Sequence, residues 1–238
     1  MMIYIGAILL VGSLVAIHEF GHFVAGRMMG IPIAVFSLGF GPKVAGFMWG
    51  ETEVRLSLIP LGGYVLPAIE DEEEYLSLGA KARMVFSIGG PAANFLVAIP
   101  LMALINTLSG NISAYHLLLA PVIQAAEMLL LFVISIPMAF AHPQEVSSVV
   151  GMVSLGGQFM DAGLVAALKF SVVISLNLAI FNMLPLPPLD GGKIMLDTLE
   201  YLDPRLGKVY LPAYVMGWTA LIGFMLYATA NDIARLSA

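Results

Sequence analysis

His18, Glu19 and His22 stand in the pattern His-Glu-Phe-Gly-His. On an α-helix, positions i and i+4 share a face, so both imidazoles can reach one ion. The glutamate beside them is placed to take a proton from water at that ion. So short a pattern also arises by chance, as a polar patch packed against neighbouring helices. Here it lies inside an apolar run, residues 3–24. Three ionisable groups in lipid cost several kcal/mol unless a metal or a proton engages them.

A catalytic zinc site needs a third protein ligand and an open fourth position. The chain contains no cysteine, so histidine or a carboxylate must supply that ligand. The candidates are His116, His142, Glu127 and Asp190. Asp190 closes the segment Asn-Met-Leu-Pro-Leu-Pro-Pro-Leu-Asp that begins at Asn182. Pro185, Pro187 and Pro188 must stop or unwind a helix there. Irregular backbone at membrane depth is tolerated where it lines a cavity. The segment can therefore present a carboxylate to an internal watery site, although alone it also reads as an ordinary helix stop.

The elements that must position these residues follow from composition. Of 238 residues, 60% are hydrophobic and 11% charged, and the mean hydropathy is +0.94. Ordinary soluble domains carry roughly 25% charged residues. Too few polar residues are present to cover a soluble globule. A net charge of −6 without a basic cluster argues against a nucleic-acid partner. The pattern predicts an all-α polytopic membrane protein forming a single domain over residues 1–238. Four core transmembrane helices are expected at about 3–25, 84–105, 165–189 and 209–230. A further apolar helix at 117–140 contains Pro121 and Pro137. Its polar residues, with His116, Gln124, Glu127 and Ser135, fall on one stripe.

Charge placement orients the chain. Arg27, Lys43, Arg55, Lys81 and Arg83 share one loop, and Lys193, Arg205 and Lys208 another, whereas residues 106–168 hold no Lys or Arg. By the positive-inside rule, the first two segments are cytoplasmic and the third lies outside. The expectation is that both termini lie outside, the site faces the cytoplasmic half, and 117–140 is interfacial or re-entrant. His18 and Asp190 then approach the same depth. A membrane-associated β-hairpin is expected at about 34–65, because 34–38 and 51–58 are strand-like and Gly-Phe-Gly-Pro at 39–42 signals a turn. The acidic run at 70–74 reads as a solvated loop. Asn94 reads as a helix-packing residue, and Lys169 as one that snorkels outward.

The combination resembles the site-2 protease family of intramembrane zinc metalloproteases. HEFGH at 18–22 is similar to the family's zinc-binding helix, and FNMLPLPPLDGG at 181–192 to its NxxPxxxLDG signature. SLGFGP at 37–42 and LIPLGGY at 58–64 resemble its β-hairpin loop, and GGPAANF at 89–95 its second core helix. The resemblance implies one zinc per chain on His18, His22 and Asp190, Glu19 as catalytic base, and Asn182 helping to position substrate backbone or the developing oxyanion. It implies cleavage within or near transmembrane segments of single-span or polytopic membrane proteins, in a prokaryotic cell membrane. The PDZ or CBS domain of many members has no room here. Substrate selection would fall to the hairpin, to the 117–140 helix or to a regulatory partner protein. Glu51, Val54, Leu56 and Leu58 are the candidate substrate-binding residues of the hairpin. The alternative is a membrane zinc or ion transporter using the same ligands without proteolysis. A metalloprotease with a glutamate as third ligand would have Glu200 as the only glutamate beyond Asp190.

Overall fold

A computed structural model describes residues 2–69 and 71–237. Among these residues, eight α-helices accompany one antiparallel hairpin. In chain order these are α1 (Met2–Met28), β1 (Ile33–Trp49), β2 (Thr52–Pro67), α2 (Glu72–Ser77), α3 (Ala80–Leu108), α4 (Ala120–Ala141), α5 (Val149–Asp161), α6 (Leu164–Asn182), α7 (Asp190–Leu202) and α8 (Tyr210–Ser237). Among the described residues, five helices are long and apolar enough to cross a membrane: Met2–Met28, Ala80–Leu108, Tyr115–Ala139, Leu164–Asn182 and Pro204–Ser237.

The helices α1, α3 and α6 form the centre. Where α1 crosses α3, a side chain at Gly21 would run into the Gly89 carbonyl, and one at Gly89 into that of Gly21. Hydrogen at both positions is what lets the two backbones touch. Val11 and Leu14 of α1 pack on Phe170 and Ile174 of α6. Ala98 and Met102 of α3 pack on Val172 and Leu176 of α6 and on Ala125 of α4. The pairings run in opposite directions along successive helices, so α3 ends on the face where α1 and α6 begin.

The segment expected to be interfacial or re-entrant has the length of a span, and its two ends are tied to different helices. Asn106, near the end of α3, donates to the His116 carbonyl. Asn231, near the end of α8, donates to the Gln144 carbonyl. Asp232 accepts from the backbone N–H groups of Ser148 and Gly151, capping the start of α5. The polar stripe of α4 does not face lipid alone. Gln124 and Glu127 line a cavity of about 560 Å³ together with Asn106, Asn111 and Lys169.

The hairpin is longer than the sequence pattern predicts. Gly39 and Gly41 adopt positive φ within β1 and bend it, while the turn falls at Gly50. Residues 35–38 pair with 53–56 on one side and with 63–66 on the other, and 45–49 pairs with 52–56. Phe23, Phe36 and Phe86 anchor the sheet between α1 and α3. In the acidic run, Glu70 lies outside the described residues, and Asp71 caps α2 by accepting from the Glu74 N–H.

A buried ionic cluster fastens α7 to α3. The Arg83 side chain is fully buried; it pairs with Asp197 at 2.8 Å and with Glu200. It also donates to the Leu76 carbonyl at 2.7 Å, and Tyr210 donates to Asp197. Replacing Arg83 with Met strands Asp197 in a dry site. The expected cost is about 3–5 kcal/mol, read as a lower denaturant midpoint in detergent micelles. An unchanged midpoint would show that the cluster does not hold α7 in place.

Candidate metal centre

Asp190 is the first residue of α7, where the helix dipole favours a carboxylate. It reaches this position because the chain between α6 and α7 is irregular, as the prolines require. Gly191 permits the approach: a side chain there would strike the Met183 backbone. The carboxylate meets α1 at its two histidines. His18 Nε2 lies 3.0 Å and His22 Nε2 3.1 Å from Asp190 Oδ2, and the two Nε2 atoms are 3.1 Å apart. All three residues are buried, each about 5% exposed or less. Lys193 holds the other carboxylate oxygen at 3.1 Å. Burial alone would push the Asp190 carboxyl up; the facing imidazoles and the Lys193 ammonium outweigh it and hold the group well below the usual carboxylate range.

Among the described residues, this is the group of three metal-ligating side chains that converges on one point. The fit to zinc rests on three features. Tetrahedral bonds of about 2.0–2.1 Å put ligand atoms roughly 3.3 Å apart, close to the observed triangle. Two imidazoles and a carboxylate form a borderline-to-hard donor set suited to that ion. Finally, α3 leaves room in front of the triangle, because a Cβ at Gly90 would fall 2.6 Å from His18 Nε2 and closer still to His22 Nε2.

The hydrogen-bond pattern points the same way. His22 Nδ1 lies 2.7 Å from the Phe86 carbonyl, which can only accept. A proton therefore sits on Nδ1, and the neutral form of His22 has its Nε2 lone pair free for an ion held with Asp190.

Glu19 is half-buried on α1, and its side chain lies against the backbone of Gly63. Asn182 is near the end of α6, and its amide donates back to the Leu178 carbonyl at 3.0 Å; no contact joins it to the three ligands. Of the other ligand candidates, His116 bonds Ser113 and Glu127 lines the polar cavity, so neither joins the cluster. His142 sits beyond the end of α4 and Glu200 is taken by Arg83. Val54 and Leu56 lie on a segment paired along both edges, so it has no free edge for an added strand. Glu51 is in the turn, and Leu58 is exposed. The edge beside the site is 63–66. Sequence reasoning missed Asn94, which is buried against His18 Nδ1 at 3.1 Å. A single asparagine in an apolar helix gives no sequence signal of that contact.

Two imidazoles on a membrane-length helix, a carboxylate facing them and an adjacent glutamate are the donor set that a membrane metallopeptidase requires. The family model of peptidase family M50 matches residues 6–226, and the chain belongs to this family, that of the site-2 proteases. A provisionally named zinc metalloprotease of Campylobacter jejuni is 22% identical over 98% of this chain and 94% of its own length. One of Clostridium perfringens is 24% identical over 98% of each. One of Helicobacter pylori is 39% identical over 40% of this chain and 30% of its own length. The alignment with the Campylobacter protein runs over 344 positions, 106 more than this chain has residues, so that relative carries stretches without counterpart here.

Proposed function

We propose that the chain is an intramembrane zinc endopeptidase that cuts a peptide bond within or near transmembrane segments of single-span or polytopic membrane proteins. The observation that carries this reading is the His18–His22–Asp190 triangle with Glu19 beside it. His18, His22 and Asp190 would hold one zinc per chain. When bound, the metal lowers the pKa of water and polarises the substrate carbonyl.

Glu19 takes the proton from the attacking water and returns it to the leaving amine. The backbone at 63–66 is the open sheet edge nearest Glu19, and an unwound substrate stretch adds there as a further strand. Strand addition frees the scissile bond from the substrate's helical hydrogen bonds. Asn182 turns its amide from Leu178 toward the oxyanion once substrate is in place.

The bacterial relatives favour a prokaryotic cell-membrane protein, and the distribution of Lys and Arg favours both termini outside and the site toward the cytoplasm. Exposed side chains such as Leu118, Leu131, Leu211 and Met216 would meet lipid. A regulatory partner protein would supply the selection that a PDZ domain supplies elsewhere.

The purified protein is tested in liposomes against a panel of single-span helices, with a chelator and zinc add-back. The expected result is chelator-sensitive cleavage restored by zinc. Ion flux without cleavage of any panel member would replace the peptidase reading with the transporter reading.

A further inference from the structure

One face of α3 touches the metal cluster at three positions spaced by four: Phe86, Gly90 and Asn94. Phe86 offers its carbonyl to His22 Nδ1. Gly90 leaves space before both Nε2 atoms. Asn94 places its amide 3.1 Å from His18 Nδ1. Asn94 is fully buried, and its main chain is pinned by the Ser175 hydroxyl of α6, which donates to the Asn94 carbonyl at 2.9 Å.

We infer that Asn94 is a positioning residue whose side-chain oxygen accepts the Nδ1 proton of His18 and so fixes that ring in its metal-binding tautomer. The inference rests on reading His18, His22 and Asp190 as ligands. A neutral imidazole that ligates through Nε2 carries its proton on Nδ1 and needs an acceptor there. His22 has one in Phe86. At His18, the side chain within reach of Nδ1 is Asn94.

The two ends of an amide have nearly the same shape, and its orientation follows from the hydrogen bonds it makes. With the nitrogen toward His18, Nδ1 must be bare. The Nε2 proton then points at Asp190 Oδ2, 3.0 Å away, and closes the ligand. This orientation also leaves Asn94 Oδ1 buried without a partner. With the oxygen toward His18, Nε2 is free for the ion. The amide orientation of Asn94 thus selects between a closed and an open His18.

The test uses full-length protein in detergent, stripped of metal and titrated with zinc against a competing chromophoric chelator. The variants are Asn94→Leu, of similar shape without an acceptor, and Asn94→Asp, which offers only oxygen. Asn94→Leu is expected to weaken zinc binding about 10–100-fold, the usual cost of losing an outer-shell partner. Asn94→Asp is expected to retain it. The metal-free unfolding midpoint of each variant separates a lost fold from a lost ligand orientation, and Asn94→Ala stands in should the leucine variant not fold. Wild-type affinity in Asn94→Leu or Asn94→Ala overturns the inference. So does an equal loss in Asn94→Asp, which would assign the essential contact to the amide nitrogen. Failure of the unaltered protein to bind zinc overturns the ligand reading itself and this inference with it.

Discussion

Replacing Glu19 with Gln is expected to abolish peptide hydrolysis while zinc stays bound. Gln keeps the volume and the polar end but cannot accept a proton at neutral pH. Proton transfer by a positioned side chain contributes typically about 10²–10⁴-fold to rate, and activity should fall by at least that range. Metal content should not change, because the proposed ligands are His18, His22 and Asp190, and Glu19 is turned toward Gly63 instead. Cleavage of a reporter helix and metal analysis of the same preparation decide the matter. A zinc-loaded Glu19→Gln protein that cuts at the normal rate would remove Glu19 from the mechanism.

Adding one methyl group at Gly90 should be as damaging, by a different route. The new Cβ lies within 3 Å of the Nε2 atoms of both histidines, at the mouth of the ligand triangle. Neither ring can retreat, since His22 is held by Phe86 and His18 by Asn94. Withdrawal of α3 would break its close packing on α1 at Gly21 and Gly89. Gly90→Ala should therefore bind little or no zinc and show no peptidase activity. Alanine is a better helix former than glycine, so the fold itself should survive. Equilibrium dialysis with zinc and an unfolding midpoint separate these effects. Wild-type zinc affinity in Gly90→Ala would mean that the ion approaches from another side.

Much of this centre was legible in the sequence. The spacing of His18 and His22 on a helix, and the prolines that free Asp190 from one, are local facts. The sign of charge in each loop brought His18 and Asp190 to the same depth before any contact was known. The ends of α1 and α3 could be read to within about four residues from apolar run length, whereas α6 stops at Asn182, short of the expected 189, because the prolines break the helix early. What could not be read depended on contacts between distant segments. The doubling back of the sheet, with 35–38 between 53–56 and 63–66, is set by pairing across more than a dozen residues. No alternation pattern encodes it, so the open edge was first sought at Val54 and Leu56. Asn94 was read as packing because one asparagine in an apolar helix carries no sign of which ring it will meet. Residues 39–42 read as the turn between the strands, whereas they bend β1 and the turn falls at Gly50; a bend inside a strand and a turn between strands share the same glycines.

The path of residues 109–163 has a consequence for how such a chain can vary. This stretch leaves the end of α3 and enters the start of α6, and these two ends lie together, since Ser109 and Lys169 line one cavity. The central helices α1, α3 and α6 therefore keep their order and direction whatever the loop contains, as a socket keeps its shape whatever is plugged into it. A soluble domain of any size whose termini lie close together could replace 109–163 without turning α6 over. Descendants of one catalytic core can in this way acquire or discard whole sensory modules by a single insertion or deletion, while His18, His22 and Asp190 stay together.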